Sequence, residues 1–358
     1  MRLVIDDKIP FIRGFAERLG EAVYLPGDAI NATDVRQADA LIIRTRTHCS
    51  RQLLAGSTVR FIATATIGYD HLDTAYLASA GIGWANCPGC NATSVAQYVE
   101  CVLALLAAKR GLRLGAGTTM AIVGVGHVGT AVALMARRLG LRVVLCDPPR
   151  REGHGGLHTG DTVARGIADA DCTATLADVA READVISFHT PLTVSGQYAT
   201  HHLADAAFFT ALRRRPVIIN AARGEVVDTV ALLAAMAAGQ VSEAVIDTWE
   251  NEPRVDRALL DRAFIATPHI AGYSADGKAN GTRMALEAVG RHFGCDADFS
   301  AICPPPIAAD FRYAPQYTDV AAPCLALYDP RRDSDALKHD PDGFEYQRGH
   351  YPLRREHF

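Results

Sequence analysis

Short apolar runs rich in β-branched residues alternate along the chain with segments whose apolar residues recur every three or four positions. The runs lie at residues 3–5, 41–43, 61–62, 120–123, 143–146, 185–188, 217–219, 244–246 and 264–265. Strands that alternate with helices predict an α/β fold built on parallel sheets. The spacing of Phe11, Phe15 and Leu19 predicts the first helix, and residues 93–110 predict a long buried helix that could join two domains.

Two regions depart from this alternation. Residues 151–173 are rich in glycine, and we interpret them as a surface insertion. Beyond residue 295, three consecutive prolines at 304–306 end any helix, and residues 329–358 mix many charges with aromatic residues. This last segment is either a small third element or a mobile, solvated tail.

Composition narrows the class of protein. The chain has 358 residues, of which 49% are hydrophobic and 21% charged, which is typical of a folded chain of two or three domains. A net charge of −4 provides no general attraction for nucleic acid. We expect no membrane span, because the longest apolar region contains Gln97 and Glu100. Nine scattered cysteines indicate reduced thiols and a cytoplasmic location.

A glycine-rich motif indicates a dinucleotide site. The motif Gly124-Val-Gly-His-Val-Gly129 follows a predicted strand and begins a predicted helix. Its glycines allow a tight turn, close approach of a pyrophosphate, and close packing of helix on strand. The next strand ends in Asp147, whose carboxylate can accept hydrogen bonds from a ribose and repel a 2′-phosphate, so NAD is favoured over NADP. We interpret Arg150 and Arg151 as solvated surface residues.

Three further residues follow predicted strands and together match the chemistry of hydroxy-acid oxidation. His269 can take the hydroxyl proton as hydride leaves the same carbon, and Glu252 can orient the imidazole. Arg223 offers a planar fork for a carboxylate. Taken singly, each residue has a structural alternative: a loop histidine, a surface acid and an arginine in an inter-domain ion pair. Strand ends in parallel sheets gather ligands, so we expect the three to converge.

These motifs resemble those of the D-isomer-specific 2-hydroxyacid dehydrogenases over about residues 1–293. The resemblance implies a doubly wound Rossmann nucleotide domain inserted in a flavodoxin-like split catalytic domain, followed by a small C-terminal dimerisation element. The expected boundaries are 1–93 for the first part of the catalytic domain, 94–268 for the nucleotide domain, 269–293 for a returning catalytic helix and 294–358 for the dimerisation element.

The resemblance also implies roles for individual residues. Arg223 binds substrate and takes part in catalysis, Glu252 partners His269, His269 is the acid/base, and Asp247 approaches the nicotinamide. The residues expected at NAD are Gly124, Gly126, His127, Val128, Gly129, Asp147, Thr190, Ala221, Ala222, Arg223, Asp247 and Gly272. Those expected at the substrate are Arg44, Thr45, Arg46, Thr66, Tyr273 and Arg354.

Other motifs are similar to one branch of this family, which acts on a phosphorylated hydroxy acid as a homodimer. They include the runs at 269–273 and 328–333. In this interpretation Arg44 or Arg46 binds the substrate phosphate, and Arg354 contacts it across the dimer interface. Ala222 departs from the pattern, where a small thiol is expected. The alternatives are a dehydrogenase of glycerate or phosphoglycerate and a non-enzymatic, NAD-sensing protein similar to corepressors. Cys87 and Cys90 are interpreted as part of a turn, and no metal is expected.

Overall fold

A computed structural model describes residues 1–154, 166–310, 312–313, 315–352 and 354–357. The chain forms two compact units. Unit 1 comprises Met1–Asn91 and Ser274–Ile307, and unit 2 comprises Ala92–Tyr273 and Ala308–Phe358. The segment beyond residue 293, expected as a separate dimerisation element, is thus shared between the two units. The predicted insertion at 151–173 falls partly on residues 155–165, which lie outside the described residues.

Unit 1 is built on a parallel sheet of five strands. They are β1 (Arg2–Asp6), β2 (Glu21–Leu25), β3 (Ala40–Ile43), β4 (Phe61–Thr64) and β5 (Gly83–Ala85), in the order β2-β1-β3-β4-β5. This is the flavodoxin-like order. The helices of the unit are α1 (Ala32–Val35), α2 (Arg51–Leu54), α3 (Thr74–Ala80) and α11 (Ala275–Phe293). Alternate residues of β1 face two different cores: Leu3 and Ile5 lie in the core that includes Leu286 of α11, and Val4 lies in the core that includes Leu77 of α3.

Two sequence expectations for unit 1 need correction. The edge strands β2 and β5 were not predicted, because β2 is only partly buried and β5 has three residues, so neither carries a strong apolar pattern. The helix expected from Phe11, Phe15 and Leu19 is wrong. Only Ala16–Arg18 forms a 3-10 turn, because Phe11 and Gly14 adopt positive φ angles of 60° and 82°, which a right-handed helix excludes.

Unit 2 contains a parallel sheet of six strands. They are β6 (Thr119–Val123), β7 (Arg142–Cys146), β8 (Val185–Phe188), β9 (Val217–Asn220), β10 (Glu243–Ile246) and β11 (Ile265–Ala266), in the order β11-β10-β9-β8-β6-β7. After β7 the chain returns to the other side of β6 and forms β8, so the winding direction reverses beside β6. In doubly wound sheets, ligands bind at the carboxyl ends of the strands at such a reversal. The sequence prediction of a doubly wound α/β fold is confirmed.

Helices cover both faces of this sheet. They are α4 (Ala92–Arg110), α5 (His127–Arg138), α6 (Pro148–Arg151), α7 (Leu176–Glu182), α8 (Ala206–Ala211), α9 (Thr229–Ala237), α10 (Arg257–Arg262), α12 (Pro323–Leu327), α13 (Pro330–His339) and α14 (Phe344–Gly349). The long helix α4 matches the prediction. By length and composition it could cross a membrane, contrary to the expectation of no membrane span, but 67% of that window is buried, as in a core helix.

The C-terminal segment, residues 328–358, is folded onto the rest of unit 2 in the part that the structure describes. Tyr328, Leu337 and Phe344 are fully buried, and Tyr351 is nearly so. These side chains belong to the same two apolar clusters as the helices and strands of the sheet. The mobile-tail alternative is therefore wrong for the residues that are described.

Candidate active site

The glycine motif forms a tight loop between β6 and α5. A Cβ atom on Gly124, whose φ is 87°, would lie 2.8 Å from the backbone nitrogen of Thr190. One on Gly129 would lie 1.9 Å from the carbonyl oxygen of Gly124. Gly126 is different, because nothing lies within 4 Å of the position of its Cβ. The first and third glycines thus allow close packing, and the second leaves its backbone open to a ligand.

The N-terminus of α5 provides the charge complement for that ligand. Gly126 is the N-cap of this 12-residue helix, it has no side chain with which to cap the helix, and the first turn contains no acidic residue. His127 and Val128 are the first two residues of the helix. Unsatisfied N–H groups and the helix dipole make such an end favourable for a phosphate. The loop and helix therefore fit the pyrophosphate of a dinucleotide.

Asp147 lies beside this loop at the end of β7. One carboxylate oxygen accepts the backbone N–H of Val125 at 2.7 Å, and the other accepts that of Arg150 at 3.1 Å. Because a carboxylate oxygen can accept more than one hydrogen bond, both retain capacity for ribose hydroxyls. The carboxylate thus joins the glycine loop to the start of α6.

The interpretation of Arg150 as a solvated residue is wrong. Its side chain is buried, and its guanidinium donates to the carbonyl oxygens of Val125 at 2.6 Å and Ile167 at 3.0 Å. A third nitrogen donates to Asp169 at 2.6 Å. With each of its three nitrogens donating to a protein group, Arg150 stabilises the glycine loop and is not a solvated cation free to attract a 2′-phosphate. The preference of the site for NAD is strengthened.

The segment after β8 packs against the glycine loop and contains unsatisfied polar atoms. Thr190 Oγ1 and His189 Nδ1 are buried, and neither has a hydrogen-bond partner within the described part of the chain. Burial lowers the pKa of His189 to about 3, so its imidazole is neutral. Buried polar groups normally have partners, so these atoms fit a site that a polar ligand completes.

His269 and Glu252 form the pair expected from the sequence. Nδ1 of His269 lies 2.9 Å from Oε2 of Glu252, and Oε1 of Glu252 accepts the backbone N–H of Trp249 at 2.9 Å. Burial alone would raise the pKa of Glu252, but the hydrogen bond and charge of His269 hold it below its ordinary value. Trp249 in turn donates its indole N–H to the carbonyl of Thr267 at 2.9 Å. These contacts join the loop after β10 to the loop after β11. They orient the imidazole with Nδ1 towards Glu252, so that Nε2 is the nitrogen on the other side of the ring.

Arg223 lies in the loop after β9, which is close to the loop that carries Glu252. The side chain of Asn220 shapes this loop by donating to the carbonyl of Arg223 at 3.0 Å and accepting the N–H of Ala222 at 3.2 Å. A Cβ on Gly224 would lie 2.0 Å from the carbonyl carbon of Trp249, so the two loops touch through their backbones. Within the described residues no carboxylate forms an ion pair with Arg223, which donates to the carbonyl of Ala222 at 2.8 Å. The ion-pair alternative therefore receives no support.

The carboxylate of Asp247 binds the backbone of the loop that follows β11. Its buried carboxylate accepts the Thr267 hydroxyl at 2.6 Å and the backbone N–H groups of Ile270 at 2.8 Å and Ala271 at 3.1 Å. Burial raises the pKa of this carboxyl, and the charge of His269 and these hydrogen bonds oppose the rise. Of the other residues expected at NAD, Gly272 directly follows Ala271 in the chain, and Ala221 and Ala222 directly follow β9. Asp247 thus supports the loop that carries His269.

The expected substrate residues of unit 1 lie on two neighbouring strand ends. Arg44 follows β3 and pairs with the fully buried carboxylate of Asp6 at 3.1 Å, while Thr45 and Arg46 are exposed. Thr66 follows β4, and its hydroxyl bonds to Thr64 at 2.7 Å and to the carbonyl of Gly68 at 2.9 Å. Cys87, in the same unit, donates its thiol to the carbonyls of Thr64 and Gly281, in keeping with the predicted structural turn.

Arg354 does not lie on the surface of its unit, as a residue that contacts a partner subunit would. It is fully buried in unit 2, and its guanidinium donates to the carbonyls of Ile270 at 3.0 Å, Ala271 at 2.5 Å and Ser94 at 3.3 Å. Both terminal nitrogens donate to protein oxygens, and Nε is buried without a partner among the described residues, so the whole guanidinium is enclosed within the unit. This corrects the expectation that Arg354 reaches across a dimer interface to the substrate.

Arg348 was not among the site residues expected from the sequence. This arginine of α14 lies over the ring of Tyr273, with its guanidinium carbon 6.0 Å from the ring centre, and its charge contributes to the lowered pKa of Glu252. Its Nε is buried and has no hydrogen-bond partner among the described residues. The only available signal was a basic residue in the C-terminal segment, because its proximity to Glu252 depends on the folding of that segment onto unit 2.

Comparisons with known proteins agree with the fold and with a nucleotide-binding domain in unit 2. Residues 107–271 match the D-isomer specific 2-hydroxyacid dehydrogenase, NAD binding domain. The chain is 50% identical over 357 residues to the erythronate-4-phosphate dehydrogenase of Bacteroides fragilis, covering 99% of this chain and 97% of that one. It is 42% identical over 362 residues to the enzyme of the same name from Porphyromonas gingivalis, covering 99% and 94%.

Solved structures show the same fold at lower identity. The apo form of the D-mandelate dehydrogenase of Rhodotorula graminis matches with a TM-score of 0.64 and 22% identity, covering 81% of this chain and 93% of that one. The chain belongs to the D-isomer specific 2-hydroxyacid dehydrogenase family, whose NAD-binding domain it contains. Within that family it groups with the erythronate-4-phosphate dehydrogenases.

Proposed function

We propose that the chain oxidises 4-phospho-D-erythronate to 2-oxo-3-hydroxy-4-phosphobutanoate, a step in pyridoxal phosphate (vitamin B6) biosynthesis. The observation that carries the proposal is the Glu252–His269 pair at 2.9 Å, next to the loop of Arg223 and in the same unit as the glycine loop. The names of the relatives supply the substrate, and the family supplies the reaction type.

NAD would be held by the glycine loop, the N-terminus of α5, Asp147 and Thr190, and it supplies the acceptor for the hydride from C2 of the substrate. His269 takes the proton of the C2 hydroxyl on Nε2. Its Nδ1–H donates to Glu252, so the carboxylate stabilises the imidazolium as it forms. The lowered pKa keeps Glu252 ionised at neutral pH, as this role requires.

Arg223 binds the substrate carboxylate and the neighbouring oxygen. Its guanidinium has a planar set of donors, and no described carboxylate competes for them. For the phosphate we propose Arg348, whose buried Nε has no hydrogen-bond partner among the described residues. On the resemblance of the motifs we also propose Tyr273 as a substrate residue of unit 2, and Arg44, Thr45, Arg46 and Thr66 as substrate residues of unit 1.

We also propose that the protein is a cytoplasmic homodimer. None of the nine cysteines forms a disulfide bond, and one of them, Cys303, is exposed, which suits a reducing compartment. The motifs of the C-terminal segment support the dimer through their similarity to the dimerisation element of the family branch. Light scattering coupled to gel filtration should give twice the chain mass of 38.3 kDa. A mass equal to one chain would contradict the dimer.

The activity is tested with a panel of four acids: 4-phospho-D-erythronate, D-erythronate, D-3-phosphoglycerate and D-glycerate. Formation of NADH is followed for each acid with NAD and with NADP. We expect 4-phospho-D-erythronate with NAD to have the highest kcat/KM. A higher value for phosphoglycerate or glycerate would support the alternative dehydrogenases, and tight NADH binding without turnover of any acid would support a sensing protein.

A further inference from the structure

The backbone that carries His269 is strained. His269 has a φ of 55°, in the left-handed region that residues other than glycine rarely adopt. Such a conformation is energetically unfavourable and persists only where surrounding contacts impose it. The N–H of His269 contributes by donating to the carbonyl of Asp247 at 2.8 Å. We therefore expect contacts that hold the following residues, Ile270 and Ala271, to maintain this conformation as well.

The next two residues, Ile270 and Ala271, are held by two side chains of opposite charge. One binds their N–H groups and the other binds their carbonyl groups. The carboxylate of Asp247 accepts the N–H groups of Ile270 and Ala271 at 2.8 and 3.1 Å. The guanidinium of Arg354 donates to the carbonyls of the same residues at 3.0 and 2.5 Å. Hydrogen bonds to charged groups are stronger than those between neutral groups. We call this arrangement the 270–271 clamp.

The arginine of the clamp is itself fixed by the C-terminal segment. Its guanidinium carbon lies 3.9 Å from the centre of the Tyr328 ring, and Nη1 donates to the hydroxyl of Tyr351 at 3.2 Å. That hydroxyl donates to the carboxylate of Asp333 on α13 at 2.8 Å. A further donation to the carbonyl of Ser94 reaches α4. Arg354 is completely buried, so its position is set by these contacts and not by solvent.

We infer that Arg354 is a positioning residue for the acid/base His269. It does not touch substrate; it holds the carbonyls that follow His269 so that the imidazole keeps its bond to Glu252. The C-terminal segment then has a function in catalysis within its own chain. This inference rests on the proposed function, since it assumes that His269 transfers the proton.

The test compares Arg354→Met and Arg354→Lys with Arg331→Met. Arg331 is a matched control, because it belongs to the same segment, lies over the ring of Tyr317 and pairs with the buried Asp329 at 2.6 Å. It has no hydrogen bond or ion pair with residues 269–271 in the described structure. With 4-phospho-D-erythronate as substrate, the measurements are kcat, KM, the kinetic isotope effect of deuterium at C2, and the Kd of NADH.

We expect Arg354→Met to lower kcat by about 10- to 100-fold, because a small misplacement of a catalytic group has an effect of this size. The isotope effect should increase as the chemical step becomes limiting, while KM and the Kd of NADH change by less than about threefold. Arg354→Lys, which keeps the charge but lacks the fork, should be intermediate. Arg331→Met should keep the wild-type kcat and isotope effect.

Hydrogen exchange provides a readout that needs no turnover. Exchange at the amides of residues 270 and 271 should become about tenfold faster or more in both Arg354 variants and remain unchanged in Arg331→Met. Wild-type kcat and exchange in Arg354→Met, or equal losses in Arg331→Met, would overturn the inference. If Arg354→Met does not fold, Arg354→Lys decides by the same criteria. A wild-type protein that oxidises no acid would refute the proposed function, and exchange would still test the clamp.

Discussion

Replacing Glu252 by glutamine tests the proposed acid/base pair most directly. The carboxylate accepts two hydrogen bonds on two different oxygens, one from His269 and one from the backbone of Trp249. Glutamine has the same shape but a single oxygen, so either His269 or Trp249 faces an amide NH₂ group. The variant also lacks the negative charge that stabilises the imidazolium formed during proton transfer.

The size of the effect follows from the loss of one charge-assisted hydrogen bond in a largely shielded position. Such a bond contributes about 1.5–3 kcal/mol. Since about 1.4 kcal/mol corresponds to a tenfold change in rate, kcat should fall by about 10- to 150-fold. The Kd of NADH should remain within about twofold of wild type, because the glycine loop is unchanged.

The chain offers a matched control two residues earlier. Glu250 also pairs with a histidine, with its Oε1 2.7 Å from Nε2 of His202, and it also accepts a backbone N–H, that of Thr229 at 2.8 Å. Glu250→Gln therefore makes the same chemical change away from His269, and we expect its kcat to stay within about threefold of wild type. Steady-state NADH formation with saturating 4-phospho-D-erythronate measures both variants. Wild-type kcat in Glu252→Gln, or an equal loss in Glu250→Gln, would refute the assignment of the pair.

Four other variants test the remaining parts of the site and its support. His269→Asn should lower kcat by about 100-fold and keep NADH affinity, because only proton transfer is lost; turnover equal to wild type would contradict this. Asp147→Asn should narrow the ratio of kcat/KM for NAD to that for NADP, and an unchanged ratio would count against this residue. Arg348→Met should weaken the binding of the phosphorylated substrate selectively, so that KM rises about tenfold or more for 4-phospho-D-erythronate and changes much less for D-erythronate. Equal effects on the KM of both acids would exclude Arg348 as a phosphate ligand. Burial raises the pKa of Asp333 to about 6, so between about pH 4 and 6 the folded chain holds a proton that the unfolded chain has released. Wild-type stability should therefore fall across this window, by about 3 kcal/mol in total, relative to Asp333→Asn, and urea unfolding at several pH values should show a difference that grows until about pH 6 and is then constant.

The parts of the protein that depend on local patterns of residues could be predicted from the sequence. Apolar runs predicted nine of the strands, because the buried strands of parallel sheets consist almost entirely of apolar residues. The glycine loop was predictable for a similar reason, since its turn and its close packing are requirements on consecutive residues. Arg223, Glu252 and His269 were identified because each follows such a strand.

The environment of the charged residues depends on the complete fold and could not be predicted from local patterns. Arg150 and Arg354 have no local signal of burial, yet both are buried where carbonyls from distant parts of unit 2 surround the guanidinium. Arg348 is close to Glu252 only because the C-terminal segment folds onto the sheet of unit 2. The partners of a side chain depend on which distant backbone groups the fold brings near it. Hydrophobic periodicity records which face of an element is buried, but it carries no information about those partners.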